Sequence, residues 1–402
     1  MRRREALAAL TLAAAAAASR RGSARTEGDV LVEVLRAAGP QSRRILARPD
    51  EFELQILWTR CVRADAGSWR VSSEHSLGVQ RRRWFAAASF VKLPLAALLL
   101  EQLCARGLID QIDALRVTVD TGPACAPLPA STKNGWPMLR LLRAMCVVSD
   151  NLAYNALYEL LGSDAIHRRL VELGYADCRV AARLGCGGAN RPGKLAARVV
   201  DVAGKVVWDS PRNASEQPQL FPFGRALKGR AWAEDGKQIA GPHDFSDSNF
   251  MPFADVHRMM LELGSGQPLG GRPAVALCTR ARALLAQLMA LTPRACPDPA
   301  YAPDQFADDH AKWLIPVDGA GHVPAGLSIA SKNAQSYGYI GDSAFIVDQA
   351  QGIAFGLSAM VFVDRDGVLN DGDYAYADIG RPFLRELGAA VWAYEREAGT
   401  RR

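Results

Sequence analysis

The sequence has few lysine residues. Lysine and arginine together number 48 among 402 residues, but only 8 of them are lysine. The net charge is +6, and no basic run is interleaved with aromatic residues, so nucleic acid is not an expected partner. Each lysine that the chain keeps is therefore a candidate for a task that arginine cannot perform.

The sequence also has no motif for a metal or a nucleotide. Its 6 histidines are scattered, without a close pair or an HExxH motif, and no GxxxxGK[ST] motif is present. The acidic stretch Asp364–Tyr374 lacks the ligand spacing and the final glutamate of a calcium loop, so we interpret it as a solvated turn. We therefore expect no metal ion and no cofactor.

The 8 cysteines include no CxxC motif. An even number of cysteines in an exported chain permits disulfide bonds, but the pairing does not follow from the sequence. Cys178 and Cys186 bracket a short loop and are our predicted bridge. Buried free thiols are the alternative.

The first 24 residues have the order of a secretory signal peptide. Arg2–Arg4 precede an apolar stretch from Ala6 to Ala18, and small residues follow. The arginine pair also resembles a twin-arginine signal, so either export route fits. We expect a periplasmic or secreted protein without a membrane span, since no other apolar run reads as long enough for one.

Strand patterns lie near both ends of the chain. Residues 52–58 alternate between apolar and polar, and residues 69–73 follow a turn. Three more strand-like segments follow Gly326, and helical patterns occupy residues 29–38 and 379–397. These segments predict an α/β (α+β) fold with a five-stranded antiparallel sheet flanked by N- and C-terminal helices.

The middle of the chain predicts a separate, all-α lobe. Residues 106–180 show helical periods and no convincing strands, and helices resume near residues 253–263 and 281–291. Residues 181–250 are rich in Gly, Pro, Asn and Asp and contain a hairpin pattern around Ala203-Gly204, which indicates an insertion. The predicted division is a sheet lobe of residues 25–105 and 325–402, and a mainly helical lobe of residues 106–324.

A serine and a lysine begin the most apolar helix of the chain. In "AAASFVKLP", Ser89 and Lys92 share one helical face, and Pro94 marks the first turn. A buried lysine can lose its proton and serve as the base that activates a serine, whereas arginine cannot. The spacing also occurs by chance about once in a chain of this size, so the motif is weak when taken alone.

Two further segments, one at Ser149–Asn151 and one at Lys332, contain residues that could act together with Ser89 and Lys92. Ser149, Asp150 and Asn151 lie between two helices, where they could cap a helix or relay a proton and hold a substrate amide. Lys332 ends a predicted strand, where it could protect a sheet edge or attract a substrate carboxylate.

Taken together, these motifs resemble those of the superfamily of class A serine β-lactamases and penicillin-binding proteins. The order SxxK, SDN and K-T-G of that superfamily appears here as "SFVK", "SDN" and "KNA". The interval of 60 residues between Ser89 and Ser149 is similar to that of class A. The resemblance covers most of residues 50–180 and 250–397, and it implies the fold predicted above.

The resemblance implies an acyl-enzyme mechanism. Ser89 attacks a carbonyl group, with Lys92 as its base or the partner of its base. The backbone N–H groups of Ser89 and Gln335 form the oxyanion hole. Ser149 and Lys332 serve to protonate the leaving group and to bind a substrate carboxylate.

The resemblance also implies substrate binding by Asn151, Lys332, Asn333 and Gln335. Two departures from the family pattern concern this part of the site. Asn333 and Ala334 stand where the family has Ser or Thr and then Gly, and the methyl group of Ala334 is expected to crowd the strand edge along which a β-lactam lies.

The second departure concerns a carboxylate. No Asp or Glu occurs between Asp177 and Asp201, where class A enzymes carry the glutamate that activates the deacylating water. Glu172 lies in a helical segment, where we expect it to be unable to replace that glutamate. We therefore expect acylation to proceed and hydrolysis of a β-lactam to be slow.

The sequence thus predicts an exported, monomeric serine hydrolase that acts on a β-lactam, a peptidoglycan-derived peptide or an ester. A penicillin-binding peptidase or transpeptidase is one alternative. A non-catalytic protein that binds peptidoglycan or another ligand is the other, and the missing carboxylate favours it. The retention of Ser89, Lys92, Ser149 and Lys332 in a lysine-poor chain favours an enzyme.

Overall fold

The computed structural model describes residues 27–64, 68–120, 135–185, 195–211, 219–269, 273–314 and 322–400. The predicted signal peptide lies outside these residues. The helices are α1 (Glu27–Ala37), α2 (Pro40–Ala47), α3 (Lys92–Ala105), α4 (Met138–Val147), α5 (Asn151–Leu161), α6 (Ser163–Glu172), α7 (Phe253–Ser265), α8 (Thr279–Ala290) and α9 (Arg381–Thr400).

The strands are β1 (Gln55–Arg63), β2 (Trp69–Leu77), β3 (Arg116–Val119), β4 (Trp136–Pro137), β5 (Ala197–Val200), β6 (Val206–Ser210), β7 (Leu227–Lys228), β8 (Ala231–Glu234), β9 (Lys237–Ala240), β10 (His243–Asp244), β11 (Leu327–Ser336), β12 (Tyr339–Asp348), β13 (Ile353–Phe362) and β14 (Val368–Leu369).

A five-stranded antiparallel sheet joins the two ends of the described chain. Its strand order is β11-β12-β13-β1-β2, so a C-terminal meander pairs with an N-terminal hairpin. The register at the junction sets Gln55 opposite Met360 and Cys61 opposite Ala354. The five-stranded antiparallel sheet predicted from the alternating segments is confirmed.

Helices cover both faces of this sheet. On one face, α1, α2 and α9 contribute buried side chains to a core that includes Leu31, Leu35 and Leu387. On the other face, α3 to α8 form a larger core around Leu99 and Leu142. Because both faces are covered, strands β12 and β13 are almost entirely buried.

Helix α3 runs through the larger core. Eleven of its residues are buried, and apolar side chains surround the helix axis on every side. The segment Ala88–Ala105 is long and apolar enough to span a membrane by composition, contrary to our expectation, but 72% of it is buried inside the fold. Its composition is therefore that of a central core helix.

The second lobe is not all-α, which corrects the prediction. Strands β3 and β4 occur within residues 106–180, and they form a four-stranded sheet with the order β4-β3-β5-β6. Strand β3 has four residues, too few to display an alternating pattern, and it pairs with a strand about 80 residues further along the chain. The hairpin predicted around Ala203-Gly204 is confirmed as β5 and β6.

The described disulfide bond joins Cys104 to Cys278. It connects the C-terminal turn of α3 to the residue that precedes α8. The predicted bridge from Cys178 is wrong, because Cys178 is a free thiol buried in the larger core, and Cys186 lies outside the described residues. The prediction rested on the short distance between Cys178 and Cys186 along the chain, but Cys178 packs into the larger core.

Replacing both cysteines of the bridge by serine tests this assignment. The bridge closes a loop of 174 residues, so we expect the C104S/C278S variant to lose about 2–5 kcal/mol of unfolding free energy. Urea unfolding of both proteins, with and without dithiothreitol, measures the difference. The reductant effect should be large in the parent and small in the variant, and equal effects in both would refute the bridge.

Candidate active site

Ser89 lies at the start of the central helix. A 3₁₀ turn, Ala88–Val91, leads directly into α3, and Lys92 is the first residue of that helix. The residue before the serine, Ala88, has φ of 42°, in the left-handed region that side chains other than glycine seldom adopt. Such strain costs about 1–3 kcal/mol and is common at active sites.

The Lys92 amine is buried among oxygen atoms. Its Nζ lies 2.9 Å from Ser89 Oγ, and it donates to the Ser149 carbonyl oxygen at 2.6 Å and to Asn151 Oδ1 at 2.8 Å. The side chain is 1% exposed. The spacing of serine and lysine on one helical face therefore produces the direct contact that the sequence predicted.

Residues 149–151 connect α4 to α5. Asp150 caps α5 by accepting a hydrogen bond from the backbone N–H of Ala153 at 2.7 Å. Ser149 has φ of 61°, and its hydroxyl donates to Ser89 Oγ at 2.9 Å. Both predicted roles thus occur in this tripeptide. Asp150 caps α5, and Ser149 contacts Ser89.

Lys332 lies on β11, the edge strand of the main sheet. It is 2% exposed, so it does not act as a solvated edge charge. Its Nζ donates to Ser149 Oγ at 2.9 Å and to Asn333 Oδ1 at 2.7 Å. The structure therefore brings the three predicted motifs together at the hydroxyl of Ser149.

One assignment of hydrogens satisfies the whole cluster. Lys332 donates to Ser149 Oγ, and Ser149 donates to Ser89 Oγ. The Ser89 hydroxyl can then donate to the lone pair of a neutral Lys92 amine, whose own two hydrogens go to the Ser149 carbonyl and to Asn151. In this arrangement the serine proton points at the base that would remove it.

Burial favours a neutral Lys92. It lowers the pKa of this amine well below its ordinary value, and the positive charge of Lys332 lowers it further. Burial also lowers the pKa of Lys332, to about 8, against opposing effects of Cys146 and Asp342. Burial and the charge of Lys332 therefore favour the neutral form of the amine next to Ser89.

Lys312 is a third buried lysine, close enough to Lys332 to affect its charge. Lys312 donates to the carbonyl oxygens of Met289 and Ile329, at 2.7 and 2.9 Å, and to Ser331 Oγ at 3.3 Å. These three acceptors use all the donors of an ammonium group. Sequence analysis missed Lys312, although the scarcity of lysine that singled out Lys92 applies to it equally.

Ser89 opens into a small cavity of about 210 Å³. Gln335 lines it, as the predicted oxyanion hole requires, whereas the buried Ala334 does not and belongs to the larger core. The described lining residues are Trp84, Ala86, Ala87, Ala88, Ser89, Asn151, Ala182, Arg183, Leu184, Gly185, Phe245, Ser248, Asn249, Gln335, Ser336 and Tyr337.

None of these described lining residues is an aspartate or a glutamate. The wall opposite Gln335 is formed by residues 182–185, whose backbone is fixed by the side chains of Asn155 and Asn249. Glu172, on α6, forms an ion pair with Arg169 at 2.8 Å and does not line the cavity. The described part of the cavity wall therefore presents no carboxylate to a water molecule.

Comparisons with known proteins agree with the motifs. Residues 63–217, which include Ser89, Lys92 and Ser149, match the model of the Beta-lactamase enzyme family. The resemblance predicted from the sequence is thereby confirmed, and the match ends before Lys332. The comparison with curated proteins found no match.

Solved structures with similar folds include β-lactamases and a protein named PBP-A. A β-lactamase from Desulfarculus baarsii is 17% identical, covering 91% of this chain and 97% of its own, with a TM-score of 0.46. A β-lactamase from Burkholderia vietnamiensis is 14% identical, covering 93% and 99%, with a TM-score of 0.47. PBP-A is 14% identical, covering 91% and 96%, with a TM-score of 0.47.

Titration of the lysine side chains tests the electrostatics of the cluster. We expect the pKa of Lys92 to lie well below the ordinary value of a lysine, and Lys332→Met to raise it, because a neighbouring positive charge is removed. Two-dimensional NMR of the ε-methylene groups can follow all 8 lysines. Lys205→Met is the matched control, and an unchanged pKa of Lys92 in Lys332→Met would contradict the coupling.

Proposed function

We propose that this protein is an exported serine hydrolase that forms a covalent acyl-enzyme on Ser89. The observation that carries the proposal is the contact of 2.9 Å between Ser89 Oγ and the buried amine of Lys92. A neutral amine at that distance is a base positioned for the serine proton. The matched Beta-lactamase enzyme family supports the class of reaction.

Acylation begins with proton transfer from Ser89 to Lys92. The Ser89 oxygen forms a bond to the substrate carbonyl carbon, and the developing oxyanion lies at the backbone N–H groups of Ser89 and Gln335. The positive end of the α3 dipole favours the same charge. Two positively charged lysines behind Ser149 make the surroundings electropositive, which stabilises the anion as it forms.

Collapse of the tetrahedral intermediate requires a proton on the leaving group. For a β-lactam, the C–N bond of the ring breaks and the nitrogen takes that proton. Ser149 is the donor that the geometry favours, because its hydroxyl lies between Ser89, Lys92 and Lys332 at 2.9, 3.0 and 2.9 Å. Lys92 then returns the original serine proton through Ser149, and Lys332, which does not line the described cavity, holds the Ser149 hydroxyl in place.

Deacylation is the slow step in this proposal. The described cavity wall presents no carboxylate to activate water, and the loop segment that would carry one contains no acidic residue in the sequence. The acyl-enzyme consequently persists. This behaviour favours an acyltransferase or a penicillin-binding peptidase over a β-lactamase of high turnover. A peptidoglycan-derived peptide is the proposed natural substrate, in keeping with the proposed export.

Two substitutions test the nucleophile and its base. Ser89→Ala should abolish the covalent adduct formed with a penicillin, and Lys92→Arg should slow its formation by about 10²–10⁴-fold, because arginine keeps its proton. Intact-mass spectrometry measures both effects. Ser76→Ala and Lys205→Arg, at exposed positions, are the matched controls. An adduct on Ser89→Ala, or a normal rate in Lys92→Arg, would refute these roles.

The time course with a chromogenic cephalosporin tests the slow step. We expect a burst of one product per chain, followed by turnover at least about 10²-fold slower, because no general base assists the water. Stopped-flow absorbance measures both phases. Rapid steady turnover without a burst would show that another group activates water. The absence of both the burst and the mass adduct would favour the non-catalytic alternative.

A further inference from the structure

A second, larger cavity adjoins the one that holds Ser89. It measures about 920 Å³, and Phe245, Ser248 and Tyr337 line both cavities. These three residues lie between Ser89 and the second cavity, which we call the side groove. Its remaining described lining residues are Trp232, Ala233, Glu234, Asp235, Gly236, Lys237, Gln238, His243, Asp244, Asp247, Asp366, Val368, Asn370 and Asp371.

One wall of the side groove is aromatic. Trp232 stacks on His243 with ring centroids 3.8 Å apart, and it contacts Tyr337 at 5.6 Å. Phe245 lies below them, 4.6 Å from the His243 ring and 5.1 Å from the Tyr337 ring. Trp232, His243 and Tyr337 remain partly exposed, so aromatic faces are available to a ligand. Such faces attract cations and apolar chains.

The groove is also strongly acidic. Six of its lining residues are aspartate or glutamate and one, Lys237, is a cation, although the whole chain has a net charge of +6. Arg225 forms an ion pair with Asp244 at 2.8 Å, and Arg230 lies 3.7 Å from Asp366. Within the described residues, Glu234 and Asp247 form no close ion pair, although Lys237 lies opposite Glu234 in the β8–β9 hairpin.

His243 does not neutralise these carboxylates. Burial lowers the pKa of its imidazole, against the opposite effects of Asp247, Asp244 and Glu234, so the ring is neutral at pH 7. The groove therefore combines neutral aromatic faces with negative charge. It differs in sign from the lysine cluster at Ser149, which lies on the other side of Ser89.

We propose that the side groove selects acyl substrates that carry a protonated amine on an apolar chain. The apolar chain packs against Trp232 and Tyr337, and the ammonium group lies among Glu234, Asp247 and the face of Trp232. The groove is formed largely by β8 to β10, which lie in the inserted segment, and by residues in and around β14, so the insertion supplies much of this selectivity. The inference rests on the proposed acylation of Ser89 and names the class of its substrate.

Two penicillins that differ at one amine, charged in the first and neutral in the second, provide the test. Both share one side chain that ends in a primary amine, and in the second compound this amine is acetylated. We expect the second-order rate constant of acylation to favour the amine by about fivefold at low salt, and the ratio to fall at about 1 M salt. Equal rate constants for the two compounds would overturn the proposal.

Substitutions in the groove test whether its residues cause the preference for the amine compound. The E234Q/D247N variant should bring the ratio close to 1, and Trp232→Leu should lower it while the apolar bulk is kept. The control D50N/D304N removes two exposed carboxylates that do not line the groove, and its ratio should equal that of the parent. An unchanged ratio in E234Q/D247N would overturn the assignment.

Binding to Ser89→Ala separates this inference from the proposed chemistry. Titration calorimetry with the same two penicillins needs no acylation, and we expect the amine compound to bind about fivefold more tightly. If neither compound acylates the parent but this preference remains, the proposed function fails and the groove stands. If acylation occurs and Ser89→Ala shows no preference, the groove proposal fails alone.

Discussion

The buried amine of Lys92 is the interaction on which the site depends. A lysine side chain that is 1% exposed must find polar partners or lose its charge, and the fold supplies both solutions. The Ser149 carbonyl and Asn151 accept its hydrogen bonds, while burial and Lys332 lower its pKa and so favour the neutral form. The same residues that satisfy the amine thus hold it as a base against Ser89.

Sequence reasoning found this constellation because its motifs are local. Ser89 and Lys92 lie one helical turn apart, and the tripeptide Ser149–Asn151 lies between two helices whose apolar periods define its place. The five strands of the main sheet were predictable for a similar reason, since each shows its own alternation or apolar run. What the sequence did not contain was the register that brings Lys332 to Ser149, which only the folded sheet provides.

The features that escaped prediction depend on contacts between distant segments. Strand β3 is too short to be recognised without its partner β5, and the Cys104–Cys278 bridge spans 174 residues. Lys312 belongs to no motif, and its three acceptors come from α8 and β11. The aromatic and acidic residues of the side groove are likewise separated along the chain, so their common wall is visible only in three dimensions.

The pairing of β1 with β13 has a consequence for the biogenesis of the protein. Gln55 and Met360 are neighbours in the sheet although about 300 residues of chain separate them, and β11 joins the sheet only through β12 and β13. On the ribosome, β1 therefore has no partner on its β13 side until β13 has been synthesised. The sheet that holds Lys332 beside Ser149 is complete only after that point.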